Sequence, residues 1–279
     1  MSVEEFSNQF DVLLNSSFIE NDFGEQSSKI DIQLDEYEKS VFLTQAQEQL
    51  VINLYNGRNI EGLSFESAEE SRRYLKELTV TETINLIDEE PISSGLYPNS
   101  YKIDMSTYGN LLFVTRETVK FKTAEECTTG ETAPDKPWQI GSNLIVEVVP
   151  ITQDEYHRIK RNPYKKFNDE RVLRIENNNE WYLYSKYALK DYSIDYIKKP
   201  RPIIVAPLGD LSIDGYDYDD VSSEEQASEL NPILHRTILL EAVKLAKIVK
   251  QNQIKNEMLG NMPGQLVHPP MQPVTQRPN

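Results

Sequence analysis

Few residues in this chain carry the chemistry of catalysis or of metal binding. Among its 279 residues there are three histidines and one cysteine. His157, His235 and His268 fall on three separate predicted elements, so their spacing does not predict a shared metal ion. Cys127 lies in the acidic stretch EECTTGE, where neighbouring carboxylates disfavour the thiolate that a nucleophile needs. The histidines and the cysteine therefore predict no metal site and no catalytic site.

Sequence motifs for cofactor or substrate binding are also absent. The chain has no phosphate-binding glycine loop, no dinucleotide fingerprint, and no H-E-x-x-H, C-x-x-C or G-x-S-x-G motif. Residues 210–229 hold eight acids and no Lys or Arg, but Gly215 precedes most of the acids, unlike in a calcium-binding EF-hand. We predict a solvated acidic loop at residues 210–229. We also predict that the protein binds no cofactor and is not an enzyme. An enzyme with an unrecognised carboxylate site is the weaker alternative.

One segment of the chain is concentrated in positive charge. Residues 158–174 contain seven Lys or Arg and two acids, although the net charge of the whole chain is -16. This basic segment fits nucleic-acid binding, contact with an acidic protein surface, or a solvated helix face. The net acidity argues against general nucleic-acid binding. Pairing with residues 210–229 is possible within one subunit or between copies in a ring.

Composition fits a folded globular protein. Hydrophobic residues make up 38% of the chain and charged residues 27%. No stretch approaches the 18 apolar residues of a membrane-spanning helix, and the start of the chain lacks the apolar core of a signal peptide. A single cysteine excludes a disulfide within the chain and fits a reducing compartment.

Apolar periodicity predicts helices at both ends of the chain and strands between them. Helices are predicted over residues 2–15, 35–56, 67–78 and from Asn231 onward. The middle of the chain is β-rich, from VTETINLI to PIIVAPL. It contains one short helix, between a T-x-x-E box that begins at Thr152 and the stop signal Asn162–Pro163.

These elements predict an α+β fold, in which N-terminal helices and a long C-terminal helix form a helical bundle with an inserted β-rich domain. The predicted parts are the N-terminal helical part (1–79), the β-rich domain (80–209) with a short helix near 153–161, the acidic loop (210–230), the C-terminal bundle helix (231–258) and a flexible Pro-rich tail (259–279).

Three stretches resemble segments of structural proteins from crAss-like, short-tailed bacteriophages. They are LDEYEKSVFLTQAQEQLVINLYNG (34–57), VVPITQDEYHRIKRNPYKK (148–166) and ELNPILHRTILLEAVKLAKIVKQ (229–251). The residues that carry the resemblance are Asp35, Tyr37, Glu38, Lys39, Asp154, Glu155, Tyr156, Arg158, Lys160, Asn162, Pro163, Asn231, Pro232, His235 and Arg236.

The resemblance implies a structural virion protein made in the bacterial host cytoplasm. Its subunits would form a homo-oligomeric head-to-tail connector ring of roughly twelve copies. The ring would bind the portal protein and neighbouring tail or ring proteins, and DNA would pass through its channel without sequence-specific binding. The alternative is a cytoplasmic binding or regulatory module that uses the basic segment 158–174.

Two sets of contact residues are predicted on this basis. The subunit or ring contact is expected at Tyr156, Arg158, Lys160, Arg161, Tyr164, Lys165 and Lys166. Portal docking is expected through the tail residues Leu266, Val267, Pro269, Pro270 and Met271.

Overall fold

Seven strands form one mixed sheet, which is the main element of the fold. The computed structural model describes residues 1–16, 34–58, 64–65, 69–92, 100–127, 130–134, 144–207, 213 and 224–250, together with the backbone of 251–260. The strands are β1 (Thr79–Asn85), β2 (Ser100–Asp104), β3 (Leu111–Phe121), β4 (Ile145–Ile151), β5 (Arg171–Asn177), β6 (Glu180–Tyr184) and β7 (Leu189–Lys198).

The strand order across the sheet is β1-β7-β3-β4-β5-β6-β2. Neighbouring strands are antiparallel except β4 and β5, which are parallel. A parallel pair needs a crossover connection, because the chain must return to the starting edge before the second strand begins. Here helix α4 (Gln153–Arg161) supplies that crossover.

The two faces of β5 bury different sets of side chains, because successive residues of a strand point to opposite faces. Val172 belongs to the large apolar cluster that also contains Val119, Trp181 and Tyr192. Leu173 and Ile175 belong to a second cluster, which includes residues of α4. Strand β5 is therefore covered on both faces, and α4 is fixed against one of them.

The described residues contain four further α-helices. They are α1 (Val3–Ser16), α2 (Glu36–Asn56), α3 (Glu69–Tyr74) and α5 (His235–Gly260). Helix α5 packs against α1 and α2. The chain divides into two compact units, one of residues 1–62 and 201–279 and the other of residues 63–200.

The predicted fold class is wrong. The seven-stranded mixed sheet organises a mostly β structure, and the N-terminal helices do not close a four-helix bundle with the last helix. The third helix of that bundle was expected over residues 67–78, but α3 has only six residues, fewer than two turns. It ends early because Leu75 and Leu78 are fully buried and the chain enters β1 at Thr79.

The segment PIIVAPL (202–208), expected as a strand, makes one isolated bridge between Ile204 and Gln226 in the described residues. Polar side chains of α2 bind its backbone instead. Thr44 Oγ1 accepts a hydrogen bond from the Ile203 N–H at 3.0 Å, and Ser40 Oγ accepts one from the Val205 N–H at 2.9 Å. These buried bonds satisfy backbone groups that a neighbouring strand would otherwise satisfy.

Candidate interaction surface

Helix α4 presents one apolar side to the sheet. Tyr156 and Ile159 are buried, with 6% and 8% of their surface exposed. The Tyr156 ring lies 4.9 Å from the ring of Tyr184 on β6, centroid to centroid. Burial of each such side chain contributes roughly 1.5–3 kcal/mol to folding, which is enough to hold this short helix in place.

The start of α4 is fixed by its own sequence. Thr152 has an extended backbone, and its Oγ1 accepts a hydrogen bond from the Glu155 N–H at 3.4 Å. The Glu155 carboxylate pairs with Arg158, with 2.8 Å between Oε1 and Nη2. A hydrogen bond of 3.1 Å from Gln153 Nε2 to the Glu176 carbonyl also ties the helix to β5. The helix therefore begins at a defined residue and in a defined direction.

The loop after α4 turns around Asn162. The Asn162 N–H donates to the Ile159 carbonyl at 3.0 Å, and its Oδ1 accepts from the Tyr164 N–H at 2.9 Å. Its carbonyl accepts from the backbone N–H groups of Lys165, at 3.2 Å, and Lys166, at 3.0 Å. Asn162 thus sets the backbone path of the three residues that carry the exposed side chains of this loop.

Five exposed cations form a positive surface at the end of α4 and in this loop. We call them the α4 patch: Arg158, Lys160, Arg161, Lys165 and Lys166. The Arg158 side chain is 77% exposed, and Lys160 Nζ lies 5.6 Å from the ring centroid of Tyr156. Cations in the last turn of a helix also interact favourably with the helix dipole, so part of this charge stabilises α4 itself.

No acid of the described chain neutralises the rest of the patch. Within the described residues, no carboxylate lies within ion-pairing distance of Arg161, Lys165 or Lys166. The nearby acid Asp169 pairs instead with Lys186, with 2.6 Å between Oδ1 and Nζ, and accepts from the Tyr187 hydroxyl at 3.1 Å. The hydrogen bond from Lys186 lowers the pKa of Asp169.

Arg174, the last cation of the basic segment, does not belong to this surface. It lies on the face of β5 opposite α4, and its Nε is 2.8 Å from Glu117 Oε2 on β3. Its guanidinium carbon lies 3.8 Å from the ring centroid of Trp181. Burial raises the pKa of Glu117, although Arg174 and a hydrogen bond from the Tyr192 hydroxyl counteract it. Arg174 is therefore part of the interior.

The structure places the predicted contact residues in two environments. The five cations and Tyr164 are exposed, and Tyr164 is 85% exposed. Tyr156 is buried and packs between α4 and the sheet. The predicted portal-docking residues lie outside the described residues: Leu266, Val267, Pro269, Pro270 and Met271.

A second exposed surface, which the sequence pattern did not predict, lies on α5. Ile248 and Val249 continue the apolar periodicity of α5, but they are 56% and 40% exposed. Leu240 is 41% exposed, and Ile233, just before the helix, is 69% exposed. Ile233, Leu240 and Ile248 are seven and eight residues apart and so share one side of the helical segment. Apolar residues at such regular spacing predict a buried helix face. The structure shows that α1 and α2 do not cover this side of α5.

Sites for other functions are not evident in the described part of the chain. There, no three His, Cys, Asp or Glu side chains come together in a way that could hold a metal ion. Helices long and apolar enough to cross a membrane are not found among the same residues. The α4 patch is a different kind of feature, an exposed surface of concentrated positive charge.

Comparison with known proteins identifies similar chains. A family model described as "Phage tail ring protein 3/4" matches residues 1–258. Ring protein 3 of Bacteroides phage crAss001 is 40% identical over 263 residues, covering 92% of this chain and all of that protein. Ring protein 4/5 of the same phage is 30% identical over 267 residues, covering 91% of this chain and 96% of that protein.

Proposed function

The chain belongs to the phage tail ring protein 3/4 family, and we propose that it is a subunit of a head-to-tail connector ring. The resemblance to ring proteins of crAss-like phages is thereby confirmed, and the chain is a structural component of a phage particle. In the proposed arrangement, roughly twelve copies form the ring, which joins the portal to the tail and surrounds the DNA channel.

The observation that carries this proposal is the family match over residues 1–258, which spans nearly the whole chain. Two physical features support it. The α4 patch is an exposed charged surface on a defined backbone, which suits a subunit contact. The net charge of -16 suits a channel through which DNA slides, because an acidic wall repels phosphates and does not hold the duplex in place.

The proposal assigns two kinds of contact to the chain. Neighbouring subunits or stacked rings meet through the α4 patch and Tyr164. The tail (259–279) docks on the portal through its Pro-rich sequence. It lies beyond the part of the chain that the family model matches.

Cryo-electron microscopy of purified particles tests the proposal. We expect a ring of density between the portal and the tail into which the seven-stranded sheet fits once per subunit. Density for this sheet at another site in the particle, or at none, would overturn the connector assignment.

A further inference from the structure

The α4 patch is exposed, and the backbone that carries its side chains is held in one arrangement. Among the described residues, Arg158 is ion-paired only with Glu155 on its own helix, and its side chain is 77% exposed. Tyr156 and Ile159 anchor the helix, and Asn162 sets the loop backbone. A backbone that is already ordered loses less conformational entropy when its side chains bind a partner, which favours a specific contact at the patch.

The chemistry of the patch favours an acidic protein segment as its partner. Five cations and the exposed Tyr164 ring lie within nine residues, from 158 to 166. DNA would also attract these cations, but the rest of the chain is strongly acidic and repels phosphates. A short acidic protein segment contacts only the patch, whereas a DNA duplex also extends over other parts of the acidic chain.

The chain itself contains such a segment. Residues 210–229, DLSIDGYDYDDVSSEEQASE, hold eight acids and no Lys or Arg. They also hold two tyrosines, Tyr216 and Tyr218, which add apolar area of the kind found in protein interfaces. The segment and the patch are opposite in charge, as complementary surfaces require.

We propose that the α4 patch of one subunit binds the acidic segment 210–229 of the next subunit in the ring. This proposal rests on the proposed ring function. A ring of identical subunits closes through a heterologous interface, in which two different surfaces of the same chain meet. The patch and the acidic segment supply those two surfaces. Because the contact is charged and lies at a surface, it weakens as ionic strength rises.

Crosslinking of rings assembled from the full chain tests which copy supplies the acidic segment. Equal amounts of ¹⁴N- and ¹⁵N-labelled chain are mixed, assembled and treated with a zero-length carbodiimide, which joins carboxylates to lysine amines. We expect Lys160, Lys165 or Lys166 to join segment 210–229 in peptide pairs of mixed isotope. Pairs of a single isotope only would show binding within one copy and would overturn the proposal.

A charge-reversal series measures the energetic importance of the contact. The test variant is Arg158→Glu/Lys160→Glu/Arg161→Glu. Its matched control is Arg72→Glu/Arg73→Glu/Lys76→Glu, which changes three exposed cations, two in α3 and one just after it. One of them, Arg73, is ion-paired within its own helix, as Arg158 is. We expect the test variant to weaken subunit association at least tenfold, the control to change it less than threefold, and circular dichroism to show both folded.

Rescue by the opposite reversal identifies the partner segment. Adding Asp217→Lys/Asp219→Lys/Asp220→Lys to the test variant restores attraction between opposite charges, so subunit association should recover.

Normal ring assembly by the test variant would overturn this contact and leave the ring function standing. Loss of DNA binding by the test variant, with association intact, would overturn it in favour of DNA. A wild-type chain that is monomeric in solution and absent from particles would contradict the ring function itself.

Discussion

Arg174 and Glu117 form a buried ion pair between two strands that are not neighbours in sequence. Their Nε and Oε2 atoms lie 2.8 Å apart, and the side chains are 7% and 4% exposed. Tyr192 donates a hydrogen bond to the same carboxylate oxygen at 2.9 Å. Arg174 is therefore a buried cation of the basic segment, whereas the cations of the α4 patch are exposed. We expect Arg174 to stabilise the sheet and the patch to bind a partner.

Removing one member of this pair should destabilise the sheet strongly. Arg174→Met leaves the Glu117 carboxylate buried without its cation, so we expect the free energy of unfolding to fall by about 3–5 kcal/mol. The measurement is urea unfolding followed by tryptophan fluorescence, since both tryptophans, Trp138 and Trp181, lie in residues 63–200.

Two further variants show whether the loss of stability comes from burial of an unpaired charge. Arg158→Met removes an exposed ion pair and should cost no more than about 1 kcal/mol. Replacing both buried partners, Glu117→Leu/Arg174→Met, should recover most of the loss, because no unpaired charge remains. An equal loss for the exposed and buried arginines would contradict the assignment of Arg174 to the interior.

Thr44 should be important for the stability of the unit formed by residues 1–62 and 201–279, which we call the helical unit. Its hydroxyl accepts from the Ile203 N–H and donates to the Ile203 carbonyl at 3.3 Å. Thr44→Val keeps the shape but removes both bonds, so we expect a loss of about 1–3 kcal/mol, measured by native-state hydrogen exchange of α2 amides. Thr237→Val, at an exposed site on α5, should change stability by less than about 0.5 kcal/mol. Similar effects of the two changes would contradict the role of the hydroxyl.

His235 should make the stability of the helical unit depend on pH. Burial lowers its pKa, and the Met1 ammonium, 2.9 Å from Nδ1, lowers it further, while the bond from Nε2 to the Leu230 carbonyl opposes this. The folded state therefore binds the proton less readily than the unfolded state. Stability is fully present above the unfolded pKa of about 6.5 and is lost as the pH falls through the lower folded pKa.

Circular dichroism during urea unfolding at pH values from about 8 to 5 measures this dependence. Because a glutamine side chain does not titrate, His235→Gln should flatten the decline below about pH 6.5. His157→Gln removes an exposed histidine of α4 and serves as the control, which should retain the wild-type slope. A wild-type slope in His235→Gln would show that another group causes the decline.

Thr152 should determine how firmly α4 holds the patch. Thr152→Ala removes the bond to the Glu155 N–H, so the first turn of α4 should lose about 1 kcal/mol. Hydrogen exchange of the α4 amides should become correspondingly faster, while Thr152→Ser, which keeps the oxygen, should remain close to wild type. Unchanged exchange in Thr152→Ala would mean that packing of Tyr156 and Ile159 alone fixes the helix.

Local chemistry made α4 predictable from the sequence. Thr152 supplies a cap at its start, and Asn162 and Pro163 stop it, so the helix follows from a few consecutive residues. Tyr156 was predicted as a contact residue together with the cations, but it lies with Ile159 on the buried side of α4.

The sheet and the inward position of Arg174 could not be predicted in this way. The partner of Arg174 lies on β3, and the strand order that brings β3 and β5 to opposite sides of β4 depends on long-range pairing. Periodicity also overestimated the helical part. The apolar pattern predicted a single helix over residues 67–78, but the α-helix ends at Tyr74 and β1 begins at Thr79.

The copy number in particles tests the central claim most directly. Quantitative mass spectrometry of gradient-purified phage, with the portal protein as the internal reference, counts this chain per particle. The account predicts a fixed number, near the roughly twelve copies of one ring, that stays constant through further purification. Absence of the chain from particles, or a trace amount that declines with purification, would contradict its role as a connector subunit.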